Sequence, residues 1–119
     1  MSLAAKILIA LVALEHIYFL VLEMFLWTKP RTRAALGMSA EQAEHTKVLA
    51  GNQGLYNGFL AAGLIWSLLA PAGYAQALAL FFLGGILVAG LYGGATANRR
   101  IWVLQALPAA LALLVLLVT

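Results

Sequence analysis

Cysteine is absent from this chain, and so is aspartate. Without cysteine there is no disulfide framework, no thiolate metal site and no cysteine nucleophile; without aspartate there is no Ser-His-Asp triad. Charge of either sign is scarce. Charged residues make up 9% of the sequence, where soluble domains carry about 25%. No phosphate-binding glycine motif joins onto a strand, which argues against nucleotide chemistry.

What fills the sequence instead is apolar: 65% hydrophobic residues over 119 positions, with a mean hydropathy of +1.00. A soluble domain of this length buries only about two thirds of its unfolded surface. The remaining leucine and alanine would face water and aggregate, so lipid is the solvent that fits. A spanning helix needs about 20 apolar residues, and the runs 7–27, 48–70, 74–94 and 101–118 supply four. Lys29-Pro30-Arg31 closes the first, Pro71-Ala72-Gly73 turns tightly between the second and third, and Asn98-Arg99-Arg100 separates the third from the fourth. Short links place consecutive helices antiparallel. The expected fold is therefore all-α: a polytopic membrane protein, one domain over 1–119, folded as a four-transmembrane-helix antiparallel bundle with helices at about 3–27, 39–70, 74–97 and 100–118. The first run continues past Glu15 and His16 without a small-residue cleavage site, which marks it as a retained span and not a signal peptide.

The long connection ends in Ser39-Ala40-Glu41-Gln42, where Ser39 caps the second helix and Gln42 reciprocates in a capping box. Glu41, Glu44, His45 and Lys47 then belong to a solvated helix end. Lys29, Arg31, Arg33 and Lys47 in the first loop and Arg99 and Arg100 in the third face only Lys6 and the α-amino group on the other side. Positive loops stay inside, so loops 28–47 and 97–100 are expected in the cytoplasm and both termini outside. The net charge of +3 reads as this orientation signal, with no nucleic acid as partner.

Ionisable groups inside an apolar helix need a partner, a proton or a water-filled cavity. Glu15, His16 and Glu23 are three such groups in the first helix. His16 and Glu23 are seven residues apart, about 20° short of two turns, so they share a face, and Glu15 points about 80° away from Glu23. In the second helix Asn52, Gln53, Tyr56 and Asn57 occupy an arc of about 140° while Gly51, Gly54, Gly58 and Ala62 line the other side. Gly54 and Gly58 form a GxxxG pair suited to close packing. The third helix repeats the small-residue device with Gly85, Ala89 and Gly93, then adds Tyr92 and Thr96 one turn apart. In the fourth, Pro108 cannot donate to the Leu104 carbonyl beside Gln105, and a kink is expected there.

By depth these residues suit one polar pocket in the inner half of the bundle, with Glu15, His16 and Glu23 as acid/base candidates. Asn52, Gln53, Tyr56, Asn57, Tyr92, Thr96 and Gln105 would bind a ligand, with Arg99 and Arg100 at the mouth. The competing arrangement is a dry network that only locks helices together through hydrogen bonds worth about 0.6 to 2 kcal/mol each. Neither a metal nor another cofactor is expected: His16 and Glu23 offer two ligands where a closed zinc site takes four.

Leu14-Glu15-His16-Ile17-Tyr18, Leu22-Glu23-Met24-Phe25 and Asn52-Gln53-Gly54-Leu55-Tyr56-Asn57-Gly58 closely resemble the small bacterial and fungal membrane proteins of domain-of-unknown-function family 1304, and the likeness extends over essentially the whole chain. Thr96, the basic pair and Gln105 also resemble that family. The resemblance implies four transmembrane helices and supplies no reaction; the expected location is a bacterial inner (plasma) membrane. Three functions then compete. One is a protein that binds or converts a small lipophilic molecule, with membrane lipid as its surroundings. The second is a proton-coupled transporter working as a homodimer, similar in layout to the small multidrug exporters but without their short first loop. The third is a structural or accessory subunit.

Overall fold

The computed structural model describes all 119 residues. It is all-α, with no strand: α1 (Leu3–Phe25), α2 (Pro30–Leu36), α3 (Ala40–Leu69), α4 (Ala72–Thr96) and α5 (Leu107–Val118), the last entered through a π-helical turn at Trp102–Ala106. The chain divides into two compact units, Glu15–Phe59 on one hand and Met1–Leu14 with Leu60–Thr119 on the other. α1 and α3 each contribute to both.

In the larger unit the core mixes alanine with large aliphatic side chains. Ala5, Ala13, Ala79, Ala109 and Ala112 are buried there together with Ile9, Val12, Leu64, Leu83, Ile86 and Leu116. Many of the large apolar residues point outward instead: Leu3, Ile7, Leu11, Phe81, Val88, Leu114 and Leu117 are all exposed. Small residues inside let helix backbones approach closely. The α3–α4 turn is tight because Pro71 stands immediately before α4 and its carbonyl accepts the amides of Tyr74 and Ala75 at 2.9 and 3.1 Å. At the far ends of α1 and α5 the Ser2 and Thr119 hydroxyls meet at 2.6 Å.

The closest seam of this unit joins α4 to the π-helical turn. A Cβ on Gly90 would lie 2.6 Å from the Ala106 amide nitrogen, one on Gly93 would lie 3.2 Å from Ile101, and one on Gly94 would collide with the Trp102 indole. Going back along α4 from Gly94 to Gly90 the partner advances from Trp102 to Ala106, so the two segments run antiparallel. Trp102 is fixed further by donating its Nε1–H to the Leu91 carbonyl at 3.0 Å. The small-residue face expected at Gly85, Ala89 and Gly93 is thus corrected in part: Gly85 has nothing within 4 Å and Ala89 is exposed, whereas Gly93 meets Ile101 beside the closer contacts of Gly90 and Gly94. Pro108 explains the turn beside it. Lacking an N–H, it leaves an α-helical ladder unable to continue to Leu104, and the chain widens so that the Leu107 amide donates to Trp102, five residues back.

In the unit Glu15–Phe59, α1 and α3 meet through Gly54 and Gly58. A Cβ on Gly54 would lie 2.6 Å from Met24 Cγ and 3.2 Å from the Leu20 carbonyl, and one on Gly58 would lie 2.6 Å from Leu20 Cδ1. The expected GxxxG contact is formed, whereas Gly51 meets nothing. The connection, expected to be a loop, contains the short helix α2. Pro30 opens α2, where a missing N–H does no harm, and Gly37 closes it at φ 67°, a conformation glycine adopts without strain. The Ser39–Gln42 capping box is present: the Ser39 amide donates to Gln42 Oε1 at 2.9 Å and the Gln42 amide to Ser39 Oγ at 3.0 Å.

α1 and α4 are long and apolar enough to cross a membrane, and Trp102–Val118 is a shorter apolar helix. α3, diluted by Asn52, Gln53, Tyr56 and Asn57, does not reach that hydropathy.

Two glycine substitutions on α4 should behave oppositely. Gly94→Ala, pressed against the Trp102 ring, is expected to cost about 1–3 kcal/mol, whereas Gly85→Ala, facing open space, should be neutral or stabilise by up to about 1 kcal/mol. Thermal unfolding of the two variants in one detergent checks this, and equal shifts would contradict the seam.

Candidate functional site

Four of the expected residues form two contacts in the unit Glu15–Phe59. The first is local to α1. His16 is fully buried, with its ring edge-on to Phe19 at 5.2 Å between centroids. Its Nδ1 stands 3.9 Å from Glu15 Oε1, an ion-pair distance when the imidazole carries its second proton but too long for a direct hydrogen bond. Glu15 Oε1 is buried and accepts no hydrogen bond from the protein, while the side chain as a whole remains 25% exposed.

The second contact crosses between helices. The glycine seam brings α3 against α1 around Leu20, Glu23 and Met24, and Asn57, between Gly54 and Gly58 on the chain, then reaches Glu23. Its Nδ2–H donates to Glu23 Oε1 at 2.5 Å. An amide donor serves a carboxylate or a carboxylic acid, since either has a free lone pair to offer. The pair therefore holds the helices in register whichever form Glu23 takes.

The other expected residues are placed differently. Asn52 turns back on its own helix, donating to the Val48 carbonyl at 3.1 Å. Gln53 and Tyr56 are exposed, with the Tyr56 ring tilted against Phe59 at 6.4 Å. Tyr92, Thr96, Arg99, Arg100 and Gln105 belong to the larger unit. There Thr96 Oγ1 donates to the Tyr92 carbonyl at 2.7 Å, the Arg100 amide is taken by Asn98 Oδ1 at 2.9 Å, Arg99 and Arg100 are exposed and Gln105 is half-buried. No group of three or more His, Cys, Asp or Glu side chains is assembled for a metal ion.

One polar contact near the site escaped the sequence reading. Trp27 Nε1 donates to Thr46 Oγ1 at 2.9 Å, and Thr46 in turn donates to the Gln42 carbonyl at 2.7 Å, so the end of α1 is clipped to the first turns of α3. Trp27 alone hinted at this, as an indole N–H that needs an acceptor near a helix end. Chemically, the assembled set offers two carboxyl groups, one imidazole and one amide. It can accept hydrogen bonds, hold a positive charge and exchange protons.

The chain matches a family model described as "Protein of unknown function (DUF1304)" over residues 10–117, a span that includes every candidate site residue. "Uncharacterized protein YpaA" of Lactococcus lactis subsp. lactis (strain IL1403) is 37% identical over 116 residues, covering 96% of this chain and 97% of that protein. No solved structure matches. The chain belongs to the DUF1304 family, in agreement with the motifs around Glu15, Glu23 and Asn52.

The Glu23–Asn57 bond is open to a double-mutant cycle. Glu23→Leu and Asn57→Leu should show a coupling of about 0.6 to 2 kcal/mol in thermal or denaturant unfolding, and Glu23→Gln, which keeps an acceptor, should retain most of the stability. Strict additivity of the two leucine variants would mean that the contact contributes nothing.

Proposed function

We propose that this DUF1304 member is an integral membrane protein with four spans that binds a small lipophilic molecule, holding its polar end at Glu15, His16, Glu23 and Asn57. The observation that carries the membrane reading is the amount of large apolar side chain turned outward: beside a core in which five alanines pack with Ile9, Val12, Leu64, Leu83, Ile86 and Leu116, residues such as Leu3, Ile7, Leu11, Phe81, Val88, Leu114 and Leu117 are exposed. In water an outward surface of that kind aggregates; in lipid it is solvated, and small residues are what helix contacts need. Only 22% and 28% of the apolar windows of α1 and α4 are buried, which suits lipid-facing helices better than the core helices of a soluble protein.

Lengths are compatible with this. At 1.5 Å per residue the 23 and 25 residues of α1 and α4 reach about 35 and 38 Å, enough for a hydrocarbon core of about 30 Å. The 30 residues of α3 reach about 45 Å, so its first turns, with Glu41, Glu44, His45 and Lys47, stand in the aqueous layer. The basic residues of loops 28–47 and 97–100 orient those loops to the cytoplasm and the termini outside. Glu23 then lies near the inner boundary and Glu15 about 12 Å deeper along α1, so the site opens toward the cytoplasm. Carboxyl groups at such depth persist in sequences where they work, because each one costs insertion energy.

Two experiments test the reading. Single cysteines introduced into this cysteine-free chain at Ala35 and Ala97 should react with an impermeant maleimide only after the membrane is opened, and one at Thr119 should react from outside; the reverse pattern, or labelling of all three in intact cells, contradicts the topology. Native mass spectrometry of the protein in mild detergent should find a bound amphiphile of defined mass that is lost from a Glu15→Gln, Glu23→Gln variant of matched stability. An empty wild-type particle would leave these groups a structural role.

A further inference from the structure

We infer that the ligand of this site is a lipophilic cation, an ammonium group on an apolar body, received by Glu15; the inference rests on the binding reading above and narrows it. Three features of the unit Glu15–Phe59 converge on that chemistry. First, Glu15 has one carboxyl oxygen without a donor from the protein. Its Oε1 is buried with no hydrogen-bond partner and only the His16 ring at 3.9 Å, while the 25% exposure of its side chain leaves the group within reach from outside. A carboxyl oxygen that the protein leaves unbonded away from water takes a proton, a donor or a counter-charge from elsewhere.

Second, acidic groups outnumber basic ones in the apolar part of α1. Glu15 and Glu23 stand against a single imidazole, and Glu23 has as its partner the neutral amide of Asn57. The lysines and arginines of this unit, Lys29, Arg31, Arg33 and Lys47, all lie in the connection or the first turns of α3, beyond the apolar segment. An added cation restores neutrality, whereas an anionic headgroup would place like charges together in a medium of low dielectric.

Third, the neighbours one turn along from Glu15 are aromatic. Tyr18 and Phe19, at i+3 and i+4, share its helix face; their rings stand 6.3 Å apart at 56°, and Tyr18 is 60% exposed. Aromatic faces attract an ammonium ion and repel an anion, most strongly where water is excluded. A carboxylate with two rings one turn along its helix is a receptor for a substituted amine, and the exposed aliphatic side chains Ile17 and Val21 suit the amine's hydrocarbon tail.

The test titrates the full chain, purified in a neutral maltoside detergent, with dodecylammonium, dodecanol and dodecanoate, three probes that share a tail and differ only in headgroup. Binding is read by tryptophan fluorescence and by thermal shift. Dodecylammonium should bind saturably and raise the melting temperature, with dodecanoate at least about tenfold weaker, and Glu15→Gln should weaken the amine about 30-fold or more, as loss of one partner of a desolvated charge pair does. Tyr18→Leu, at an exposed position that leaves folding intact, should weaken it about 2- to 5-fold. If dodecanoate or dodecanol binds as tightly as the amine, the cation assignment is overturned while the binding reading stands. If none of the three binds, the binding reading itself fails. Should Glu15→Gln not fold, the headgroup comparison on the wild type together with Tyr18→Leu decides the matter.

Discussion

A helix that carries glycine at four-residue spacing offers its neighbour bare backbone, and the neighbour's position is then set to within the radius of a methyl group. Two such seams govern this chain. Gly54 and Gly58 receive Leu20, Glu23 and Met24, and Gly90 and Gly94 receive Ala106 and Trp102. The consequences spread outward from each. Only because α3 lies so close to α1 can the short side chain of Asn57 reach Glu23. Only because α4 admits the indole of Trp102 can that ring donate to Leu91. In an apolar solvent such contacts carry association that the hydrophobic effect drives in water, since lipid tails attract leucine as well as another helix does.

The π-helical turn at Trp102–Ala106 belongs to the same argument. Proline in a helix removes one hydrogen bond and crowds the carbonyl four residues earlier. The widened turn absorbs that crowding and sets the preceding residues at a different rotation from the one an ideal helix would give. Ala106, at its end, is the residue that meets Gly90. The turn and the glycine seam therefore form one device, in which a strained ladder on one segment is matched to a bare backbone on the other.

Polar groups on these helices fall into three kinds by what satisfies them. Asn52, Thr96 and Ser67 bond to carbonyls of their own helices and leave the rest of the molecule untouched. Asn57 and Glu23 bond across the seam and hold helix register. The buried Oε1 of Glu15 is satisfied by neither route. This oxygen, with only the His16 imidazole near it at 3.9 Å, separates Glu15 from the groups whose role in packing is complete.

Sequence alone determined the all-α class, the family, the capping box of Ser39 and Gln42, and the GxxxG contact of Gly54 and Gly58, because each depends on spacing within a few residues of one helix. It also brought Glu15, His16, Glu23 and Asn57 to notice, since ionisable and amide groups in apolar runs stand out by composition. Tertiary structure decided the rest. On α4 both Gly85/Ala89/Gly93 and Gly90/Gly94 have helical spacing, and periodicity cannot tell which face has a neighbour; the π-helical turn and the bulk of Trp102 settle it. Pairing of Glu23 with Asn57, and the turn of Asn52 back onto Val48, likewise depend on distances between residues far apart or on one rotamer out of several. Local patterns encode which faces a helix has, and only the packing of one helix on another selects the face that is used.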